Sequence, residues 1–284
     1  MNAIHSLLAG LIDYAGLYPP AALDMRSAVR NYVRYSQGVH AEALGRFVVN
    51  INRLDELRDA AGASLGAMRL SVVAASMEDC ASLAQCMQDG LRIEGIEFNT
   101  DRPPEIRRLS ACVPAGITAF FEVPAGGTTQ DALEAIAEAG ACAKLRMGGV
   151  VAEAFPGTQA VADALQALAG RRVAFKATAG LHHAIRSRHA FTLEPGGAAG
   201  TMHGFVNLCC AAALIHCGGE AGEARRMLDE EDAGAWRVTA DGIGWRSLEW
   251  SVEELRAVRR DFFLCFGSCS FEEPMHDLEA LGWL

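Results

Sequence analysis

Of the 25 basic residues in the 284-residue chain, two are lysine, Lys144 and Lys176. A bias of this size toward arginine follows from GC-rich codon usage, and a lysine that persists against it is one arginine cannot replace. Arginine stays charged at any working pH, whereas a buried lysine can lose its proton and act as an amine nucleophile or base. A neutral amine facing a carbonyl forms a carbinolamine and then a Schiff base. The protonated imine is an electron sink that lets a neighbouring carbon–carbon bond break or form. Glu97, Glu122 and Asp13 are the carboxylates expected to move protons beside it. Two lysines and Arg146 in one enclosed space would repel each other, and that repulsion, with burial, is expected to lower a lysine pKa toward neutrality.

For these residues to meet, the chain must bring distant strands side by side. Short apolar β-type runs alternate with amphipathic helical stretches, the pattern of a parallel α/β fold. Eight strands are predicted: Gly10 to Tyr14, Arg46 to Asn52, Met68 to Ala74, Ile93 to Asn99, Ile117 to Val123, Cys142 to Met147, Arg172 to Ala177 and Asp261 to Phe266. A helix is expected over Ala3 to Ala9. Others are expected over Asp24 to Ser36, Ser76 to Gln88, from Pro103 and Pro104 onward, and over Thr128 to Ala139, Thr158 to Ala169 and Glu272 to Leu281. Eight strand–helix units in a chain of this length predict a (β/α)8 TIM barrel, residues 1–284 forming one domain. Between the seventh and eighth strands lies an insertion, residues 186–260, with an apolar helix at Met202 to Cys217, a hairpin around Trp236 to Trp245 and a helix at Val252 to Arg259. Insertions of this size form lids or oligomer contacts, and Phe205 to Ile215 would either face a second subunit, making a homo-oligomer, or cover its own barrel.

Side chains alternate along a strand, so residues two apart share a face, and polar residues near the carboxyl ends of barrel strands line the mouth. By that rule the inward set is Asp13 with Tyr14 and Tyr18 beyond it, Asn50 and Asn52, Glu97 and Asn99, Glu122, Lys144 and Arg146, and Lys176 and Thr178. Burying such a set costs several kcal/mol per uncompensated charge, which points to chemistry. The alternative is a structural cluster of ion pairs joining Glu97 and Glu122 to Lys144, Arg146 and Lys176.

The stretch from Ala143 to Arg186 resembles the deoxyribose-phosphate aldolase family, a branch of the class I, Schiff-base aldolases. That family carries one lysine on strand six in a Lys-Thr-Ser-Thr-Gly setting and a second on strand seven in a Phe-Lys-Pro-Ala-Gly-Gly-like setting. Here they read Lys144-Leu145-Arg146-Met147-Gly148 and Phe175-Lys176-Ala177-Thr178-Ala179-Gly180. Phe266-Gly267-Ser268-Cys269-Ser270 is similar to the family's Phe-Gly-Ala-Ser-Ser, and Ile96-Glu97-Phe98-Asn99 to its Val-Asp-x-Val run. The resemblance covers the second half of the barrel. It implies that Lys144 forms the imine, that Lys176 depresses its pKa, and that Glu97 relays protons. Arg146 and Met147 replace the family's small hydroxyl residues, His182 and His183 fall where it has an arginine-containing turn, and the insertion is foreign to it. The expected member is therefore divergent, with a different substrate.

Gly180 and the Gly267-Ser268-Cys269-Ser270 turn could bind a phosphate or carboxylate through backbone N–H groups and hydroxyls, or could simply be a capped turn. Cys269 sits between two serines at a helix start, where a thiolate would be stabilised, but spacing identifies no His–acid partner and small-residue packing is the preferred reading. His182, His183 and His203 are expected near the mouth as substrate contacts or as a general acid or base. The leading expectation is a metal-free, cofactor-free lyase acting on a small carbonyl metabolite. One rival is a metal-dependent hydrolase or lyase built on Glu122, His182 or His183, and His203. Another is a non-catalytic barrel that clamps an anionic metabolite between Lys144, Arg146 and Lys176, or an interaction protein. The net charge of −10 argues against nucleic-acid or anionic-membrane partners. The lack of a long apolar run or a basic-flanked leader suggests a cytoplasmic protein. Nine cysteines without metal or redox spacing suggest core thiols rather than disulfides.

Overall fold

A computed structural model describes residues 3–127, 129–192 and 194–284. In chain order the first elements are α1 (Ala3–Leu8), β1 (Ile12–Tyr14), α2 (Met25–Ser36), β2 (Leu44–Asn50), α3 (Leu54–Ala61), β3 (Arg69–Ala74), α4 (Met77–Gln88) and β4 (Arg92–Phe98). They continue with α5 (Pro103–Ser110), β5 (Thr118–Pro124), α6 (Gln130–Glu138), β6 (Cys142–Arg146), α7 (Thr158–Gly170) and β7 (Phe175–Thr178). Then come β8 (Ser187–Ala190), β9 (Ala199–Met202), α8 (Phe205–His216), α9 (Ala221–Leu228), β10 (Trp236–Val238), β11 (Gly242–Trp245), β12 (Leu248–Ser251), α10 (Val252–Asp261), β13 (Phe263–Ser268) and α11 (Glu272–Ala280).

Strands β1 to β7 and β13 close into a barrel in which every neighbouring pair runs parallel. The fold is therefore the expected α/β barrel. Local chemistry explains the helix starts. Asp24 caps α2 by accepting from the Ser27 N–H at 2.9 Å, and Ser76 with Asp79 forms a reciprocal capping box on α4. Pro103 and Pro104 occupy the first turn of α5, where no intrahelical N–H is needed. Thr129 caps α6 by accepting from the Ala132 N–H; the expected start at Thr128 lies outside the described residues.

The apolar layer lies between barrel and helices: outward-facing Phe47, Val72, Ile96, Phe121, Leu145 and Phe175 are buried there. The barrel interior is different. Its inward positions carry the charged residues taken up below, so the lumen is polar at its centre.

The segment between β7 and β13 is not a single lid. A two-stranded antiparallel hairpin, β8–β9, comes first. The apolar α8 follows, and eleven of its residues, Phe205 to Ile215, are buried within the same chain. It covers its own barrel, so the second-subunit option for this helix falls away. The expected hairpin at Trp236 to Trp245 is a three-stranded antiparallel sheet, β10–β11–β12, that continues into α10 through a capping box at Ser251 and Glu254. Among the described residues no helix is long and apolar enough to cross a membrane. All nine cysteines are free, and Cys217, expected inside a helix, is exposed just past the end of α8.

Candidate active site

A cavity of about 560 Å³ opens at the carboxyl ends of the barrel strands. Its floor is made by Glu97, Glu122, Lys144 and Lys176, inward residues of β4 to β7, and by Asn99 just past the end of β4. Register brings the key groups level, because Glu122 pairs with Lys144 and Lys144 with Lys176 across adjacent strands. Tyr14, Tyr18, Tyr35, Pro19, Pro20 and Leu23 form much of one wall, and Ala190, Phe191, Thr192 and Met202 of the β8–β9 hairpin another. Phe191 is held there by stacking on Phe155, with ring centres 4.9 Å apart.

The charged side chains form one alternating chain from the barrel centre to its mouth. Lys176 Nζ donates to Asp13 Oδ2 at 2.7 Å and to Glu97 Oε1 at 2.6 Å. Asp13 is further held by the Arg46 N–H at 2.7 Å and the Arg46 guanidinium at 3.7 Å, and Glu97 Oε1 accepts from Ser71 Oγ at 2.7 Å. Lys144 Nζ lies 3.3 Å from Glu97 Oε2 and 2.9 Å from Glu122 Oε2, and donates to Asn99 Oδ1 at 2.9 Å. Glu122 Oε1 accepts from Arg146 Nε at 3.1 Å. The order is therefore Arg46, Asp13, Lys176, Glu97, Lys144, Glu122, Arg146, with cations and anions in strict alternation. The ion pairs that sequence offered as an alternative to chemistry are all present.

Exposure rises from Asp13 to Arg146, while Arg46 at the other end is partly exposed. Asp13 and Lys176 are buried to within 1%, Lys144 retains 5%, and the Arg146 side chain is half exposed. Lys176 thus belongs to the barrel's foundation and Lys144 to the boundary with the cavity. Asp13 lies below the cavity and does not line it, so it positions Lys176 and is not placed to move a substrate proton.

This arrangement corrects the electrostatic expectation. Burial alone would push the Lys176 pKa down, but Asp13 and Glu97 outweigh it and hold the ammonium above the usual lysine value. Repulsion among the cations does not govern the site, because carboxylates are interleaved between them. Burial would likewise raise Asp13 and Glu97; Lys176, with Arg46 for Asp13 and Lys144 for Glu97, brings both below the ordinary carboxylate range. Glu122 is also lowered, its burial outweighed by Lys144 and Arg146.

Other expected residues divide. Asn99, Arg146, Thr178, Gly180, His182, His183, Gly267, Cys269 and Ser270 line the cavity. Asn50 does not: β2 ends at this residue, and its side chain turns back to accept from the Asn52 N–H at 3.0 Å, capping a short 3₁₀ turn. His203 is buried away from the cavity, its Nε2 donating to the Pro156 carbonyl at 2.7 Å while Nδ1 has no partner among the described residues. Burial lowers its pKa to about 4. Ser268 is buried below the turn, where its Oγ accepts from the Ser270 N–H at 3.3 Å, and Ser270 Oγ caps α11 by accepting from the Glu273 N–H at 3.2 Å. The turn is a capped helix start, and Glu272 and Glu273 line the cavity beside it, a charge that opposes an anion there.

The rival metal set is not assembled. His182 is engaged by Glu273, His183 Nδ1 lies 3.0 Å from Asp277 Oδ2, and His203 lies outside the cavity. Among the described residues no three His, Cys, Asp or Glu side chains come together as a metal site.

The structure also joins residues that spacing could not. His182 Nδ1 lies 2.8 Å from Glu273 Oε2 and its Nε2 lies 3.9 Å from Cys269 Sγ. Burial would lower the His182 pKa, but the hydrogen bonds to Cys269 and Glu273 win and raise it to about 9. Tyr35 and Glu272 of the wall, hydrogen-bonded to each other at 3.2 Å, were also missed. No local pattern marks them, because they sit on helices more than two hundred residues apart. No protein-family model matches the chain, and no curated protein matches it.

Proposed function

We propose that this protein is an enzyme, a lyase of the aldolase type that works through an imine between Lys144 and a small carbonyl substrate. The observation that carries the reading is the place of Lys144: its Nζ stands where the buried ion-pair chain meets the cavity, with Glu122 at 2.9 Å. An amine at the floor of a barrel mouth, with a carboxylate in hydrogen-bond contact, is the pairing that carbinolamine formation and dehydration need.

Glu122 takes a proton from Lys144 as the amine lone pair attacks the carbonyl carbon. A second nitrogen proton, released on attack, passes to the carbonyl oxygen, and Glu122 then returns its own proton there, so that the carbinolamine oxygen leaves as water. The iminium then accepts the electron pair of the breaking carbon–carbon bond as Glu122 takes the proton of the substrate's β-hydroxyl, so that this fragment leaves as a carbonyl compound. Glu122 returns the proton to the enamine carbon, and water hydrolyses the resulting iminium to free Lys144. Lys176 stays an ammonium throughout and neutralises Asp13 and Glu97 beneath the reacting centre. The cavity volume suits a small metabolite, and its tyrosine- and proline-lined wall suits an uncharged carbon chain. The resemblance of the two lysine-bearing strands to the class I aldolases supports the same chemistry.

Borohydride trapping tests it. The full chain is incubated with a panel of small aldehydes, keto acids and sugar phosphates, reduced, and read by intact mass and peptide mapping. A stable adduct on Lys144, lost in Lys144→Ala with the fold intact, is the expected result. No adduct across the panel, or an adduct on Lys176 with Lys144 untouched, overturns the reading.

A further inference from the structure

Two strands round the barrel from Lys144, the same cavity holds a second set of reactive groups that imine chemistry does not use. Cys269 follows the end of β13, His182 lies in the loop after β7, and Glu273 is in the first turn of α11. All three line the cavity. The imidazole stands between them with one ring nitrogen toward each partner, Nε2 toward the sulfur at 3.9 Å and Nδ1 toward the carboxylate at 2.8 Å. A proton on Nδ1 is donated to Glu273, which leaves Nε2 to exchange a proton with the thiol. Glu273 also favours the imidazolium. Glu273 is itself fixed, because its backbone N–H is capped by Ser270.

We propose that Cys269, His182 and Glu273 form an acyl-accepting centre, with Cys269 as nucleophile toward a short, uncharged acyl group delivered as a thioester. Nucleophile, base and orienting carboxylate stand in the sequence of contacts that acyl transfer requires. The wall beside Cys269 supplies the specificity: Tyr14, Tyr35 and Leu23 offer a largely apolar surface, while Glu272 and Glu273 disfavour an anionic chain. In the step, the Cys269 Sγ–carbon bond forms and the incoming carbon–sulfur bond breaks. The proton that His182 takes from the Cys269 thiol passes to the departing sulfur. No redox change occurs, and the product is S-acyl Cys269. Hydrolysis returns the thiol, water giving its hydroxyl to the acyl carbon and a proton to the sulfur through His182. Cys269 and His182 are catalytic residues in this scheme and Glu273 a positioning residue.

The test uses the full chain and the acetyl thioester of N-acetylcysteamine, without borohydride or any carbonyl compound. Acid-quenched samples are read by intact mass and peptide mapping. One acetyl group on Cys269 is expected, absent from Cys269→Ser and retained at the same rate in Cys217→Ser, which removes an exposed thiol. His182→Ala should slow acylation about a hundredfold. Glu273→Gln should slow it less, and Glu273→Asp should restore part of the rate. If circular dichroism shows His182→Ala to be unfolded, His182→Gln replaces it with the same expectation. Acetylation confined to Cys217 or other thiols, or wild-type acylation rates in a folded His182 variant, overturns the proposal.

Discussion

Replacing Lys176 by methionine removes one charge from the centre of the barrel while keeping an unbranched apolar stem, shorter only by the terminal nitrogen. The ammonium is 1% exposed and holds two buried carboxylates at 2.7 and 2.6 Å. Breaking a buried pair by removing one partner costs about 3–5 kcal/mol, because the other charge stays buried without its counter-ion. Here the loss is partly offset. Asp13 keeps the Arg46 N–H and guanidinium, and Glu97 keeps Ser71 Oγ and Lys144. The expected cost therefore lies at the lower end, about 3 kcal/mol, a large share of the roughly 5–15 kcal/mol that stabilises a folded protein. Urea denaturation at pH 7 measures it as a lower midpoint with an unchanged slope. The double variant Lys176→Met/Glu97→Gln should recover much of the loss, since Asp13 then faces Arg46 alone and Lys144 faces Glu122. The pH dependence gives an independent sign. In the wild type Asp13 and Glu97 have lowered pKa values, so their stabilisation is present above about pH 4 and is lost as pH falls through the depressed values. The variant lacks the cation that lowers them, so the gap between the two proteins should narrow as pH falls below about 4. A cost under about 1 kcal/mol at pH 7, or a double variant no more stable than the single, would refute the reading of Lys176 as a structural cation.

Two further perturbations follow from the same structure. Gly180→Ala should destabilise by about 2–4 kcal/mol in a urea melt, because Gly180 has φ +70° and an added Cβ would stand 2.7 Å from Phe155 Cε1 and 2.8 Å from the Gly148 Cα. His203, with its pKa lowered to about 4, favours the folded state fully only above its unfolded value of about 6.5. Stability should fall by about 2–3 kcal/mol between pH 7 and pH 4.5 through this residue, and paired urea melts of the wild type and His203→Gln should show the variant less sensitive across that interval.

Strand periodicity was sufficient to select the lumen. Glu97, Glu122, Lys144 and Lys176 face inward because a strand offers only two faces, and the apolar residues between them mark the outer one. The rule failed where strands end: Asn50 has the right parity but is the last residue of β2, and a turn carries its side chain away. Parity also says which face a charge takes and not what stands beside it, so the interleaving that keeps Lys176 charged was out of reach. The Cys269–His182–Glu273 contacts join a strand-end turn, a loop and a helix, and no local spacing encodes them. The β8–β9 hairpin was missed for a different reason. Ser187 to Ala190 and Ala199 to Met202 carry no apolar alternation, and they are held by cross-strand pairing and by Phe191 packing at the mouth.

The separation of the appended β10–β12 sheet from the cavity has an optical consequence. Trp236, Trp245 and Trp250 all belong to that sheet, and none of the four tryptophans lines the cavity, whereas three of the four tyrosines, Tyr14, Tyr18 and Tyr35, do. Three of the four indoles therefore report through their emission on the appended sheet, and the fourth, Trp283, on the segment after α11. A ligand entering the barrel would leave that signal nearly still while changing the near-ultraviolet absorption of the phenol rings around it. A titration followed only by tryptophan fluorescence would thus record little, even as the cavity filled.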